Sequence, residues 1–383
     1  MIYADNAATT RISEYVYEKM LPYFREEYGN ASSRYTLGMS AKRAVEQARI
    51  QIAESIGAKP DELYFTSGGT EANTWMLRSI ADTYRRESVH IITSAIEHPS
   101  VFNTCHALEG MNVDVTYVPV SDSGRVAVES VIKAIKPCTK LVSIMMANNE
   151  TGTIQPVAEI GCLLQKRGIL FHTDAVQAVG HIPVDVSDLY VDFLTASAHK
   201  FHGAKGVGIL YKRSGVDLPP LLYGGGQERE SRAGTENIAS IVAAGYALEE
   251  SVAMMDETAK CVSEMVNYTI IGIKSGISDV RINGVLDNRL PSIVNLGFDG
   301  VSGESLMHLL DLKGICVSTS SACNSGKDVP SHVLLAMGQT EQQARSAIRV
   351  SYGRFNTIDE AKIVVDEVCR ACNKILSLSV PPT

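Results

Sequence analysis

Val191-Asp192-Phe193-Leu194-Thr195-Ala196-Ser197-Ala198-His199-Lys200 runs from an apolar, β-rich segment straight into small residues, an imidazole and an amine. Such a run suits a strand covered on both faces that ends in a polar loop. The strand itself is read at Phe193–Ala196. Runs of the same texture recur at Leu63–Thr66, His90–Ser94, Val113–Val118, Leu141–Met146, Leu170–Thr173 and Gly208–Lys212. Helical patterns fall between some of them, at Glu71–Glu87, Glu129–Ala134 and Val157–Arg167. This alternation predicts an α/β fold whose large domain, residues 15–250, holds a mainly parallel mixed sheet flanked by helices.

After Ile238 the pattern is helical to about Ile273, and then the texture changes. Val294–Phe298 and Ile315–Thr319 read as strands, and Ser331–Met337, Glu341–Ile348 and Asp359–Leu376 as helices. These predict a smaller α+β domain formed by residues 1–14 and 251–383. The 383 residues carry 35 Lys plus Arg against 43 Asp plus Glu, a net charge of −8, with no basic run. That argues against a nucleic-acid footprint. No apolar stretch has the length of a membrane span, and the N-terminus lacks the regions of a secretory signal. Eight cysteines scattered without a framework suit reduced thiols, so the expected setting is cytoplasmic. The histidines show no metal-ligand spacing, and Cys369 with Cys372 is a lone CxxC inside a helical pattern. No metal is expected.

The chemistry-bearing residues cluster at predicted strand ends, where open α/β sheets bind ligands. Ser67-Gly68-Gly69-Thr70-Glu71 follows one strand and opens a helix, so free N–H groups and the helix dipole make an anion cup. It also suits an ordinary capped turn. Asp174 ends another strand. It can face a protonated ring nitrogen with Gln177 beside it, or simply cap a helix. His98, in Glu97-His98-Pro99, can stack on a ring and act as acid or base. Lys200, flanked by small and apolar residues, can hold an aldehyde through its amine, with Ser197 and His199 alongside. An amine, a carboxylate and a phosphate cup together fit pyridoxal 5′-phosphate. Cys323 sits in Ser318-Thr319-Ser320-Ser321-Ala322-Cys323-Asn324-Ser325-Gly326, a run of small polar residues expected to be an exposed, mobile loop. It is either a nucleophile or an unreactive loop cysteine. Arg354 suits a substrate carboxylate or an ion pair at a domain interface.

With these residues assembled, the chain resembles the NifS/IscS-type cysteine desulfurases, a branch of the class V aminotransferase family with the type I pyridoxal phosphate fold. The resemblance spans nearly the whole chain. Beyond the motifs already quoted it is carried by Tyr3-Ala4-Asp5-Asn6-Ala7-Ala8-Thr9-Thr10, Asn148-Asn149-Glu150-Thr151-Gly152, Arg232-Ala233-Gly234-Thr235-Glu236-Asn237 and Gly353-Arg354-Phe355.

The resemblance implies a homodimer that removes sulfur from L-cysteine. Lys200 would hold the cofactor and move the α-proton, with Asp174 at the ring nitrogen, Gln177 at the ring hydroxyl and His98 stacked on the ring. Gly69, Thr70, Ser197 and His199 would hold the phosphate, helped by Thr235 from the partner subunit. Asn149 would touch both cofactor and substrate, with Arg354 and Asn30 at the substrate carboxylate. Cys323 would take the sulfur as a persulfide, leaving L-alanine. A sulfur acceptor would follow: an iron–sulfur scaffold or a tRNA-thiolation protein. A selenocysteine lyase or a related class V aminotransferase is the alternative. The chain departs from common members at Asn30-Ala31-Ser32-Ser33 followed by Tyr35, at Gly203-Ala204-Lys205-Gly206, and at Glu230-Ser231.

Overall fold

The computed structural model describes residues 1–111, 113–319 and 329–379. Along the chain its strands are β1 (Ile2–Tyr3), β2 (Leu63–Thr66), β3 (Val89–Ser94), β4 (Val113–Val118), β5 (Thr139–Ser143), β6 (Leu170–Asp174), β7 (Phe193–Ser197) and β8 (Gly208–Lys212). They continue with β9 (Val280–Asn283), β10 (Ile293–Phe298), β11 (Ile315–Cys316), β12 (Ser318–Thr319) and β13 (Ala347–Ser351). The large sheet has the order β2-β8-β7-β6-β5-β3-β4. Neighbours from β7 to β4 are parallel, whereas β8 is antiparallel to both β2 and β7.

Consecutive residues of these strands feed opposite faces, as the strand period of two requires. Val142, Leu194 and Ile209 join the apolar cluster beneath the helices Thr36–Ser55, Val157–Gln165 and Ile238–Ala253. Leu141, Phe193 and Leu210 join the cluster beneath Gly69–Thr83 and Pro99–Glu109. The polar residues between them pair across strands. The His172 ring bridges Ser143 Oγ at 2.8 Å and Thr195 Oγ1 at 3.1 Å, and burial pushes its pKa down to about 3. It is a neutral member of the sheet core.

A second sheet, β12-β13-β10-β9, is antiparallel and packs on the helices Met255–Gly276 and Ile358–Ser379. The helical stretch expected through Ile273 is two helices bent by 71° at Met254. Residues of the first lie in the core of the large sheet, and residues of the second lie in the core of the small one. No single helix among the described residues is long and apolar enough to cross a membrane.

Two expected elements differ. The helix read at Glu341–Ile348 ends at Arg345, and Ala347–Ser351 is β13, buried throughout and hydrogen-bonded on both sides. Its β-branched Ile348 and Val350 gain more from that central position than from another helical turn. The strand read at Ile315–Thr319 divides at Val317. Its first half pairs parallel with β1 and its second half antiparallel with β13. The N-terminus thereby reaches the small sheet, and Asp5 bridges to Ser351.

Candidate active site

Beyond β7 the chain tightens into one 3₁₀ turn, Ala198–Lys200. The turn is held from outside by the N-terminal segment. Thr10 N and Thr10 Oγ1 both donate to His199 O at 2.9 Å, and His202 N donates to Thr10 Oγ1 at 2.8 Å. Lys200 Nζ donates to Ala7 O at 2.6 Å and to Ala8 O at 2.8 Å. Gln177 Nε2 reaches the same Ala7 O at 3.0 Å, which brings the residue after β6 beside the residue after β7.

Asp174 closes β6 and is buried. Its Oδ1 accepts from Val176 N at 3.0 Å and its Oδ2 from Asn73 Nδ2 at 2.7 Å. Asn73 also donates to Ser100 Oγ at 2.9 Å, and Ser100 Oγ lies 2.7 Å from His98 Nδ1. A continuous chain of polar atoms thus joins Asp174 to His98 across two helix starts. Burial holds His98 below its ordinary pKa, with Asp174 opposing and Lys200 and His332 adding to the shift. Burial, then Lys200, Lys205 and His98, hold His199 down at about 4. Both imidazoles are neutral at pH 7 and can accept or donate one proton at a ring nitrogen.

The cup lies at the start of the helix Gly69–Thr83, where Gly69 is half-buried and Thr70 exposed. Gly69 is required by close approach. A Cβ there would meet Val176 Cγ2 at 2.9 Å and would stand 3.7 Å from Ser197 Cβ. The amide hydrogens of a first helical turn have no partner within the helix, so Gly69 and Thr70 present donors to an anion. Among the described residues no group of His, Cys, Asp and Glu could hold a metal ion.

A family model for class-V aminotransferases matches residues 2–364. The chain belongs to the class-V aminotransferase family. Within that family it is 45% identical over 378 residues to a cysteine desulfurase IscS of Dictyoglomus turgidum, covering 99% of this chain and 96% of that one. A solved NifS-like protein superposes with a TM-score of 0.91 at 40% identity, covering 98% and 99% of the two chains. The structure titled SspA in complex with cysteine superposes with a TM-score of 0.82 at 35% identity, covering 93% and 100%.

Around this class-V core the remaining site residues are placed unevenly. Asn149 is buried on the loop after β5, and its carbonyl accepts from Arg349 Nη1 at 2.8 Å. Arg354 lies near His181 and His202, which pack against the Lys200 turn. Its Nη2 donates to Glu250 Oε2 at 2.5 Å, beside Ser13 Oγ, and its guanidinium lies over the Phe355 ring at 5.0 Å. Asn30 is exposed and uses its Oδ1 to cap Ser32 N at 2.8 Å. Thr235 is exposed. Cys323 lies outside the described residues.

Sequence reasoning missed Asn73, Ser100, Arg349 and the carbonyls of Ala7 and Ala8. Asn73 left a trace, as an amide on the face that carries Ala72, Trp75, Met76 and Ile80 into the core. Arg349 is the charged residue in the middle of an apolar strand. The carbonyls leave no trace in side-chain patterns.

Proposed function

We infer that this chain is a pyridoxal phosphate-dependent cysteine desulfurase that converts L-cysteine to L-alanine and passes the sulfur on from an enzyme persulfide. The observation that carries this reading is the convergence of Lys200, Gln177, the Asp174–Asn73–Ser100–His98 chain and the Gly69–Thr70 cup at the ends of adjoining strands. The residues fit the cofactor. A buried carboxylate anchored by two donors suits a protonated ring nitrogen, and glycine at the cup admits a phosphate. Bound there, pyridoxal phosphate supplies an aldehyde for an amine and a ring that accepts electrons from the substrate's α-carbon.

The chain's own residues do the rest. Lys200 holds the aldehyde and carries the α-proton. Asp174 faces the ring nitrogen, Gln177 the ring hydroxyl and His98 the ring face. Gly69, Thr70, Ser197 and His199 hold the phosphate, and Thr235, exposed on its own subunit, serves the partner's cup in a homodimer. Asn149, tethered by Arg349, faces the substrate carboxylate. Cys323 thiolate takes the substrate's sulfur, so the Cβ–S bond breaks, an S–S bond forms and the carbon frame leaves as alanine. The seven described cysteines are free, which suits a reducing cytoplasm. The sulfur acceptor is an iron–sulfur scaffold or a tRNA-thiolation protein.

The test is alanine and sulfide measured from L-cysteine with a reductant. Wild type gives equal amounts of both. Lys200→Ala gives neither, and Cys323→Ala stays yellow with cofactor but releases no sulfide. Sulfide from Cys323→Ala at the wild-type rate overturns the nucleophile, and a keto acid in place of alanine overturns the activity.

A further inference from the structure

Not every amide at the mouth of the cup faces outward. Ser67 N donates to Glu71 Oε2 at 2.8 Å, so a carboxylate of the helix's own first turn occupies the donor next to Gly68. Glu71 is mostly buried, its side chain 13% exposed. Burial favours its neutral form, but the bonds from Arg232 and Ser67 prevail and hold its carboxyl below the usual range. A negative charge therefore stands beside the donors of Gly69 and Thr70. One residue answers it: Arg232 donates from Nε to Glu71 Oε1 at 2.7 Å and from Nη2 to Oε2 at 2.9 Å.

Arg232 is delivered by a built support. It follows three consecutive non-glycine residues in the left-handed region, Glu228, Arg229 and Glu230, with φ of 45°, 55° and 63°. Such a turn is strained and persists only where contacts over-determine it. Here the buried Glu228 carboxylate takes Arg49 Nη1 at 2.9 Å, Arg49 Nη2 at 2.8 Å and Phe65 N at 2.8 Å. Arg229 bonds Leu63 O and lies over the Tyr64 ring at 4.3 Å. Both pin the segment to β2, the strand that runs into the cup.

We propose that Arg232 is a positioning residue for cofactor binding: it neutralises Glu71, and so sets how tightly the Gly69–Thr70 cup holds a dianionic phosphate ester. The proposal rests on the pyridoxal phosphate reading and adds to it a charge relay that touches neither the phosphate nor the reacting atoms. Its sign is specific. Once Arg232 is gone, Glu71 repels the phosphate, and removing the Glu71 charge then restores binding. A direct Arg232–phosphate contact predicts no such rescue, and a merely structural pair predicts a loss that salt does not reduce.

The experiment is the dissociation constant of pyridoxal phosphate, read from the visible absorbance of the bound cofactor in the full chain. Arg232→Gln weakens it roughly tenfold, the effect of one uncompensated charge at a part-buried helix start, and less so at high salt. Arg232→Lys recovers most of the loss. Glu71→Gln with Arg232→Gln binds within about threefold of Glu71→Gln alone, because the two changes are coupled. A double variant as weak as Arg232→Gln, or an Arg232→Gln that binds like wild type, overturns the proposal while leaving the cofactor assignment standing. A folded wild type that takes up no pyridoxal phosphate overturns both.

Discussion

Glu97 stands directly before His98 with no solvent exposure. Its Oε1 accepts from Ser94 Oγ at 2.5 Å and from Met145 N at 3.0 Å, while Oε2 has no hydrogen-bond partner among the described residues. Burial, reinforced by the nearby Asp174, outweighs those bonds and raises its pKa from the ordinary 4.5 to about 8. At neutral pH Glu97 is then a neutral acid beside Asp174. The folded pKa lies above the unfolded one. This group's contribution to stability is therefore complete below about pH 4.5 and is lost as pH rises through 8. Glu97→Gln keeps the shape without the titration. In denaturant unfolding from pH 5 to 9, the stability of wild type relative to Glu97→Gln should fall with rising pH up to about 8 and level off above it. Parallel profiles would show that the carboxyl ionises freely in the fold.

The short helix His332–Ala336 begins at Ser331, whose hydroxyl serves two roles. It accepts from Leu334 N at 3.1 Å as the cap, and donates to Glu150 Oε2 at 2.5 Å. Glu150 is buried on the loop that carries Asn149, and burial lifts its pKa to about 7 against the pull of Ser331 and Arg349. One hydroxyl thus joins the helix to the loop after β5. Ser331→Ala removes a cap and leaves a buried acid without that donor. The expected loss is about 1–3 kcal/mol in urea unfolding, more than a cap on an exposed helix usually contributes. A loss within a few tenths of a kcal/mol would mean that Glu150 finds another donor at no cost.

Arg349 ties the molecule together. It sits in β13 of the small sheet, and its Nη2 reaches Asp5 Oδ1 at 2.7 Å while its Nη1 reaches the Asn149 carbonyl of the large-sheet side. Its side chain is 6% exposed. Arg349→Met leaves Asp5 without its cation and frees the Asn149 loop. It should destabilise the protein by about 3–5 kcal/mol, as removal of one partner of a buried pair does, and should raise KM for L-cysteine more than it lowers kcat. A variant of wild-type stability and KM would place the arginine outside both roles. At the same scale, the proposed reach of Thr235 into a partner's cup requires two chains. Sedimentation equilibrium should give twice the 41.4 kDa of one chain, and a fully cofactor-loaded monomer would refute that contribution.

The large sheet and the ends of its strands were legible in the sequence because both follow from local pattern. Parallel strands covered on two faces read as apolar runs, and their carboxyl ends necessarily point the same way. Ser197-Ala198-His199-Lys200, Asp174 and Ser67-Gly68-Gly69-Thr70 therefore declare themselves without coordinates. The tertiary structure alone decided what meets them. Lys200 bonds carbonyls 193 and 192 positions away, Asn73 spans 101 positions to Asp174, and Arg354 turns to Glu250 across 104. The same holds for Ala347–Ser351, a strand only because β10 and β12 lie on either side of it. A residue's own chemistry is written in the chain, whereas its partner, its burial and therefore its charge state exist only once distant segments have closed around it.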